Sequence, residues 1–196
     1  MNDEKNLAWP VYLVLLGLIS FQILFGIGGT ALLDPDEPVY AETAKEMIRF
    51  GDYLSPRIYN EFWYDKPPVF YWLVVASLKL FGGFSEIAAR LPAALMAIGS
   101  ILMTALASAR LFGARTGFWS GMVMGTSIIL MYMGKASVTD STLLFFMTAA
   151  LFSFIHRQYW LMYLACGFAV MTKGPIGVVF PAGIVFFYLL ATRQLE

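Results

Sequence analysis

Seven apolar segments alternate with short polar ones along the chain, at residues 10–29, 67–81, 91–109, 117–133, 141–155, 160–171 and 175–191. Several approach or exceed the ~18 residues needed to cross hydrocarbon. Trp9, Trp63, Trp119, Tyr159 and Trp160 stand near their ends, as aromatics do at membrane interfaces. Segment 67–81 differs from the others: it opens on Pro67-Pro68 and carries Lys79 near its end, which suits either a short span or a helix lying in the interface. The basic residues discriminate. If 67–81 does not cross, Lys5, Arg110, Arg115, Arg157 and Arg193 share the cytoplasmic side, and only Lys135 and Lys173 fall in short outer loops. If it crosses, the four arginines move outside, against the positive-inside rule, and Asp140 is parted from Asp34 and Asp36. The expectation is an all-α, multi-pass transmembrane helical bundle of six crossings. Both termini lie inside, the first apolar segment is an uncleaved span, and one long extracytoplasmic loop runs over residues 30–90.

Within that loop Pro38 suits the first position of a helix. Tyr40, Ala44, Met47 and Ile48 make an apolar stripe, Glu42, Lys45, Glu46 and Arg49 lie opposite, and Gly51 closes the element. This spacing predicts an amphipathic surface helix, with 67–81 as a second. Gly51-Asp52-Tyr53 and Ser55-Pro56-Arg57 between them supply turns.

Composition strengthens the membrane reading. Of 196 residues, 59% are hydrophobic and 13% charged, with a mean hydropathy of +0.70; an average soluble domain carries about twice that charge. The formal net charge is zero and no basic block interleaves with aromatics, so nucleic acid is not an expected partner. One cysteine, Cys166, lies in an apolar run and can found no disulfide framework.

Candidate chemistry concentrates in the long loop. Leu33-Asp34-Pro35-Asp36-Glu37-Pro38-Val39-Tyr40-Ala41-Glu42 gathers four carboxylates just beyond an apolar segment. One suffices to cap a helix; two aspartates flanking a proline, followed by Glu37, are more than a cap needs, so capping alone and a catalytic or metal role for at least one of them both stand. Lys66, in Tyr64-Asp65-Lys66-Pro67-Pro68, is held extended by the prolines. It suits either a lipid-carrier phosphate or a snorkelling lysine paired with Asp65. Asp140 stands between two apolar runs, where capping the next helix competes with a site role. Lys173 opens a tight outer turn and is either an ordinary turn residue or added positive charge. His156 has no partner on the outer side and is assigned no role.

Taken in order, these pieces resemble the GT-C glycosyltransferases that use polyprenyl-phosphate sugars. The set is most similar to bacterial aminoarabinose transferases acting on lipid A and to relatives of the protein O-mannosyltransferases. The resemblance covers nearly the whole chain. It runs through Asp36-Glu37-x-x-Tyr40-Ala41, Glu46-Met47, Gly51-Asp52-Tyr53, Tyr64-Asp65-Lys66-Pro67-Pro68 and Tyr71-Trp72. It continues through Ala89-Arg90-Leu91-Pro92, Arg110-Leu111-Phe112-Gly113, Asp140 and Lys173-Gly174-Pro175. It implies the GT-C membrane module and an inverting sugar transfer on the extracytoplasmic side of the cell membrane. The donor would be a polyprenyl-phosphate-linked sugar, and the acceptor a lipid, protein or glycan.

Asp36 matches the family's first-loop aspartate and is the expected general base; Glu37 and Asp140 are its expected catalytic companions. Lys66, Tyr40, Arg90 and Lys173 are expected to bind substrate. Asp65 falls where the lipid A enzymes carry a glutamate implicated in metal binding, so a divalent ion is an expected cofactor. Family members run far longer, so residues 1–196 are expected to be the N-terminal part of such a module, with an active site completed elsewhere. Two other classes compete. A transporter would place ionisable groups in mid-span, whereas here they sit at segment ends. A non-catalytic module binding lipid phosphate would carry the same loop.

Overall fold

The computed structural model describes residues 3–33 and 35–193; Asp34, one of the four clustered carboxylates, lies outside them. The chain folds as α1 (Asp3–Leu24), α2 (Asp36–Phe50), β1 (Arg57–Ile58), β2 (Glu61–Phe62), α3 (Val69–Leu80), α4 (Glu86–Phe112), α5 (Ala114–Gly125), α6 (Ile128–Gly134), α7 (Asp140–Ile155), α8 (Tyr159–Lys173) and α9 (Ile176–Ala191). Apart from the short antiparallel hairpin β1–β2, the described architecture is helical.

The central element is α4. Ser85 caps it, its hydroxyl accepting from the Ala88 N–H at 3.1 Å, with Glu86 in the first turn and Arg110 in the last, each complementing the helix dipole. At 27 residues it is about 40 Å long. Among the described residues it is the helix long and apolar enough to cross a membrane; α7 and α9 are apolar but shorter, with 16 residues each. With 12 residues, α3 reaches about 18 Å, well short of a hydrocarbon core of ~30 Å.

Two apolar cores flank α4. In the first, Leu15, Ile19 and Ile23 of α1 repeat every fourth residue and pack on Ala94, Ala97, Ile101 and Ala105 of α4; alanines let the helices approach closely. Gly117, Gly121 and Gly125 continue this contact along one face of α5. A Cβ at Gly117 would lie 2.5 Å from the Ala105 carbonyl oxygen, and one at Gly121 2.7 Å from Leu15 Cδ2. Gly117→Val is therefore expected to destabilise the fold by about 1–3 kcal/mol through overpacking. Gly167→Ala, with nothing within 4 Å of the new methyl, should be neutral or slightly stabilising. Thermal unfolding in detergent compares the two, and equal midpoints would refute this packing.

The second core shows what the apolar stripe of α2 covers. Tyr40, Ala44 and Met47 of α2 do stripe one face, but they pack on Phe70, Tyr71 and Val74 of α3 and on Ala88 and Ala93 of α4. The apolar faces of α2 and α3 cover each other. Glu46, expected on the polar face, is buried because the hairpin folds over it and the Asn60 N–H donates to its carboxylate at 3.0 Å. Helix α2 starts at Asp36, two residues before Pro38, with Pro35 at its cap and Gly51 left-handed (φ 66°) at its end. Pro38 fits there because the first turn's N–H groups have no helical partner to lose. Segment 117–133, expected as one span, is broken. The Thr126 hydroxyl donates back to the Met122 carbonyl at 2.8 Å, and Ser127 turns extended (φ −63°, ψ 123°) before α6.

Candidate active site

The first turn of α2 carries two adjacent carboxylates with opposite surroundings. Glu37 is buried. Its Oε1 accepts from Arg90 Nε at 2.8 Å and the Ser137 N–H at 2.6 Å; its Oε2 accepts from Arg90 Nη2 at 2.8 Å and the Leu33 N–H at 2.7 Å. Arg90 also donates to the carbonyls of Ile27 (2.8 Å), Thr30 (2.9 Å) and Ala31 (2.9 Å), so all the N–H donors of its guanidinium are engaged. Burial raises the Glu37 pKa, but the hydrogen bonds from Arg90, Leu33 and Ser137 outweigh it and hold the carboxyl below its ordinary value. This is the physical reason the roles expected for these two residues, catalysis for Glu37 and substrate binding for Arg90, do not match their geometry. Neither offers an open polar atom. Together they tie the end of α1, the start of α2, the start of α4 and the loop before α7 into one knot.

Asp36, one residue earlier, is exposed, and the described hydrogen bonds and ion pairs include none to its carboxylate. One helical turn on, Tyr40 is 7% exposed and marks where three chain segments meet. Burial pushes its phenol pKa up. Thr139 and Lys66 oppose that, while Asp65 and Asp36 add to it. The Asp65–Lys66 segment leads into α3, whose Phe70 ring packs on Tyr40 at 5.3 Å between centroids. Lys66 Nζ donates to Asp65 Oδ2 at 2.9 Å. That bond raises the lysine pKa against the opposing effect of burial, with further help from the charge of Asp36, and keeps it an ammonium.

Beneath them, Tyr71 packs on Tyr40 at 5.9 Å between ring centroids. Burial first, then Tyr40 and Asp65, push its phenol pKa far up. The Tyr71 and Thr139 hydroxyls are buried and have no hydrogen-bond partner of ordinary geometry among the described residues. Such groups call for an explanation in a native fold. Both were missed at the level of sequence. Each is a single hydroxyl in an apolar or turn setting, and only packing aims it at the site.

Asp140 follows Thr139 directly and begins α7; Lys173 ends α8 and donates to Asp140 Oδ1 at 2.8 Å. Asp36 and Tyr40 lie one turn apart on α2, Asp65 and Lys66 lead into α3 packed on Tyr40, and Asp140, bonded to Lys173, starts α7 directly after Thr139. Among the described residues no three His, Cys, Asp or Glu side chains gather, and Asp65 is bonded to Lys66.

The sequence profile of the dolichyl-phosphate-mannose-protein mannosyltransferases matches residues 65–196, well over half the chain. The chain belongs to this mannosyltransferase family. Its relatives include an uncharacterised protein of Aquifex aeolicus, 35% identical over 192 residues, covering 93% of this chain and 38% of the relative. An undecaprenyl phosphate-alpha-4-amino-4-deoxy-L-arabinose arabinosyl transferase of Pectobacterium carotovorum is 31% identical over 214 residues, covering 98% of this chain and 37% of the relative. Among solved structures, ArnT from Cupriavidus metallidurans bound to undecaprenyl phosphate superposes with a TM-score of 0.86 at 27% identity, over 94% of this chain and 36% of that one. Its apo state gives 0.85 at 28% identity, over 93% of this chain and 36% of that one. The chain spans well under half the length of each. In this mannosyltransferase-family chain the matched region begins at Asp65 and takes in Lys66, Tyr71, Arg90, Asp140 and Lys173.

Proposed function

We propose that this chain forms the part of an inner-membrane glycosyltransferase that holds the base and the lipid-phosphate site. The enzyme moves a sugar from a polyprenyl-phosphate donor to a hydroxyl- or phosphate-bearing acceptor, a glycolipid of the lipid A kind, on the extracytoplasmic side. The observation that carries this reading is the packing of α3, which follows Lys66 directly, on Tyr40, one helical turn from the exposed Asp36. The relatives named for undecaprenyl-phosphate sugar transfer, and the neighbour bound to undecaprenyl phosphate, support the donor class.

Asp36 accepts the proton of the acceptor O–H as its oxygen forms a bond to the anomeric carbon. The bond from that carbon to the phosphate oxygen breaks on the opposite face, its electron pair leaving with the lipid phosphate, so configuration inverts. Charge grows on the leaving phosphate, where the Lys66 ammonium stabilises it; to reach it, the phosphate displaces Asp65. Tyr40 and Tyr71 offer hydroxyl donors beside it. Asp140 and Lys173 support the adjoining wall, and the Glu37–Arg90 knot positions both aspartate-bearing segments. Multi-pass insertion, with α4 as one crossing and the helices after it as others, places this cluster at an outer boundary. That arrangement rests on the distribution of basic residues read from the sequence.

Lys66→Ala in the full-length protein is expected to weaken binding of undecaprenyl phosphate by about 10- to 100-fold, the range of a lost charged hydrogen bond. Titration in lipid nanodiscs measures it, and unaltered affinity would remove Lys66 from the phosphate site.

A further inference from the structure

Glu46 is a buried carboxylate that the transfer step does not use. It lies on α2 at 4% exposure. Among the described residues its hydrogen-bond donor is the Asn60 N–H alone, 3.0 Å from each carboxylate oxygen. Burying a carboxylate against a single neutral donor is costly, and an apolar side chain of similar size would pack there more cheaply. The N–H it holds is a particular one. Register pairs Ile58 with Glu61, so Tyr59 and Asn60 form a two-residue turn, both in the left-handed region (φ 53° and 68°). Such a turn closes through its flanking residues and leaves the N–H of its second central residue without a partner in the ladder. Its backbone is costly for a tyrosine. By pairing that N–H, Glu46 holds a strained hairpin tip to α2. Strain persists where surrounding structure over-determines it, and it clusters at functional segments.

The hairpin leads straight to Lys66. After β2 the Trp63 N–H donates to the Pro56 carbonyl at 2.8 Å, which extends the pairing by one residue. The Arg57 guanidinium lies 4.9 Å from the centre of the Phe50 ring, at the end of α2, and 4.1 Å from that of Phe62. Lys66 comes three residues beyond Trp63, and Pro67-Pro68 lead from it into α3. Three residues reach about 10 Å at most, and the prolines remove much of the remaining freedom. At the other end of the loop the Trp72 indole N–H of α3 donates to the Tyr53 carbonyl at 2.6 Å. Asp52 Oδ1 shapes the turn there by accepting from the Leu54 and Ser55 N–H groups at 3.1 and 3.0 Å. Residues 51–66 thus form a strap joined to α3 near both ends and clasped to α2 at its tip.

We infer that Glu46 is a positioning residue for the donor phosphate: by clasping Asn60 it fixes where the strap delivers the Lys66 ammonium. This rests on the transferase reading and adds to it what sets the lysine in place. Glu46 and Asp36 stand on the same helix, about 15 Å apart along its axis. One rigid element therefore carries the base directly and the lysine through the strap.

The test uses the full-length protein in lipid nanodiscs, titrated with undecaprenyl phosphate. Glu46→Leu fills the same space without an acceptor, so its unfolding temperature is expected to match or exceed that of the wild type. Its affinity should fall about tenfold, less than in Lys66→Ala, because the lysine is displaced and not removed. Glu46→Gln keeps a carbonyl oxygen for the Asn60 N–H and should bind within about twofold of wild type. In a Lys66→Ala background Glu46→Leu should bring no further loss, since it acts through the lysine. Unaltered affinity in Glu46→Leu, an equal loss in Glu46→Gln, or a full further loss on top of Lys66→Ala overturns the positioning role. A further loss joined to a lower unfolding temperature would make Glu46 a brace of the fold alone. A second arm needs no ligand: amide exchange across residues 57–66 should quicken in Glu46→Leu and not in Glu46→Gln, and unchanged exchange refutes the clasp. If Lys66→Ala binds as tightly as wild type, the phosphate site of the transferase reading fails and the positioning role with it. Binding that depends on Lys66 but ignores Glu46 refutes the positioning role alone.

Discussion

Replacing Asp36 by Asn in the full-length protein is expected to lower sugar transfer by about 10²- to 10⁴-fold, the contribution of a positioned general base, with donor affinity nearly unchanged. The asparagine keeps the size and polarity of the side chain and removes only its ability to take a proton. The structure makes this a clean substitution. Asp36 is exposed at the first position of α2, where the neighbouring Glu37 does the tying of the helix start, accepting the Leu33 N–H at 2.7 Å. A carboxylate that served only as a cap would show its loss in stability, by about 0.5–2 kcal/mol. The measurement is therefore paired: turnover with undecaprenyl phosphate-linked aminoarabinose as donor, and thermal unfolding of the same preparation. A large fall in kcat at constant unfolding temperature is the expected result. Full turnover in Asp36→Asn would take Asp36 out of the chemistry, and a parallel fall in both would return it to a capping role.

The second large effect is on the fold. Glu37→Ala leaves Arg90, with its side chain 4% exposed, as an uncompensated charge between helices, and breaking a buried pair in this way costs about 3–5 kcal/mol. The Leu33 and Ser137 N–H groups lose their acceptor as well. Because those groups belong to the segments bearing Asp36 and Asp140, transfer should fall even at temperatures where the variant remains folded. A hydrophobic pair, Glu37→Leu with Arg90→Leu, is expected to regain part of the stability, since no charge is then stranded, but not the transfer. Comparable stability of Glu37→Ala and wild type in urea or heat would show that the knot is not structural. The pH dependence has a defined sign. The folded pKa of Glu37 lies below the ordinary 4.5, so its stabilisation is fully present above about pH 4.5 and is lost as pH falls through the lower folded value. Unfolding temperature should be flat on the neutral side and drop on the acid side, and Glu37→Ala should lose that contribution to the acid slope.

The same pair shows where reading residues in a row stops. Asp36 and Glu37 are adjacent carboxylates with the same neighbours in the chain, and residue type and spacing leave both open to catalysis. What separates them is Arg90, 53 residues away, which reaches one carboxylate and not the other. Helix direction decides this, since adjacent residues on a helix point about 100° apart. Glu46 repeats the lesson: on a helical wheel it belongs with the charged face, and only the hairpin folding back over α2 buries it. Tyr71 stood in a family motif and Thr139 beside Asp140, but neither was assigned a role, because a buried hydroxyl without a partner becomes visible only when everything packed around it is known. In the other direction, Lys66 beside two prolines, Gly51 as a left-handed helix end and Asp140 at the start of α7 follow from local stereochemistry and stand as read.

By itself, then, the sequence determined the helical class, the apolar segments, the amphipathic element after the first of them and the family motifs that point to polyprenyl-phosphate sugar transfer. These follow from hydrophobic periodicity, proline and glycine stereochemistry and the spacing of charges, all of which act over a few residues. The tertiary structure alone decided which carboxylate is open and which is locked. It paired α2 with α3, broke segment 117–133 into two helices, and turned Phe62 and Tyr64 outward beside Lys66. Those outcomes depend on contacts between residues tens of positions apart, where burial and hydrogen-bond satisfaction, rather than local propensity, set the free energy.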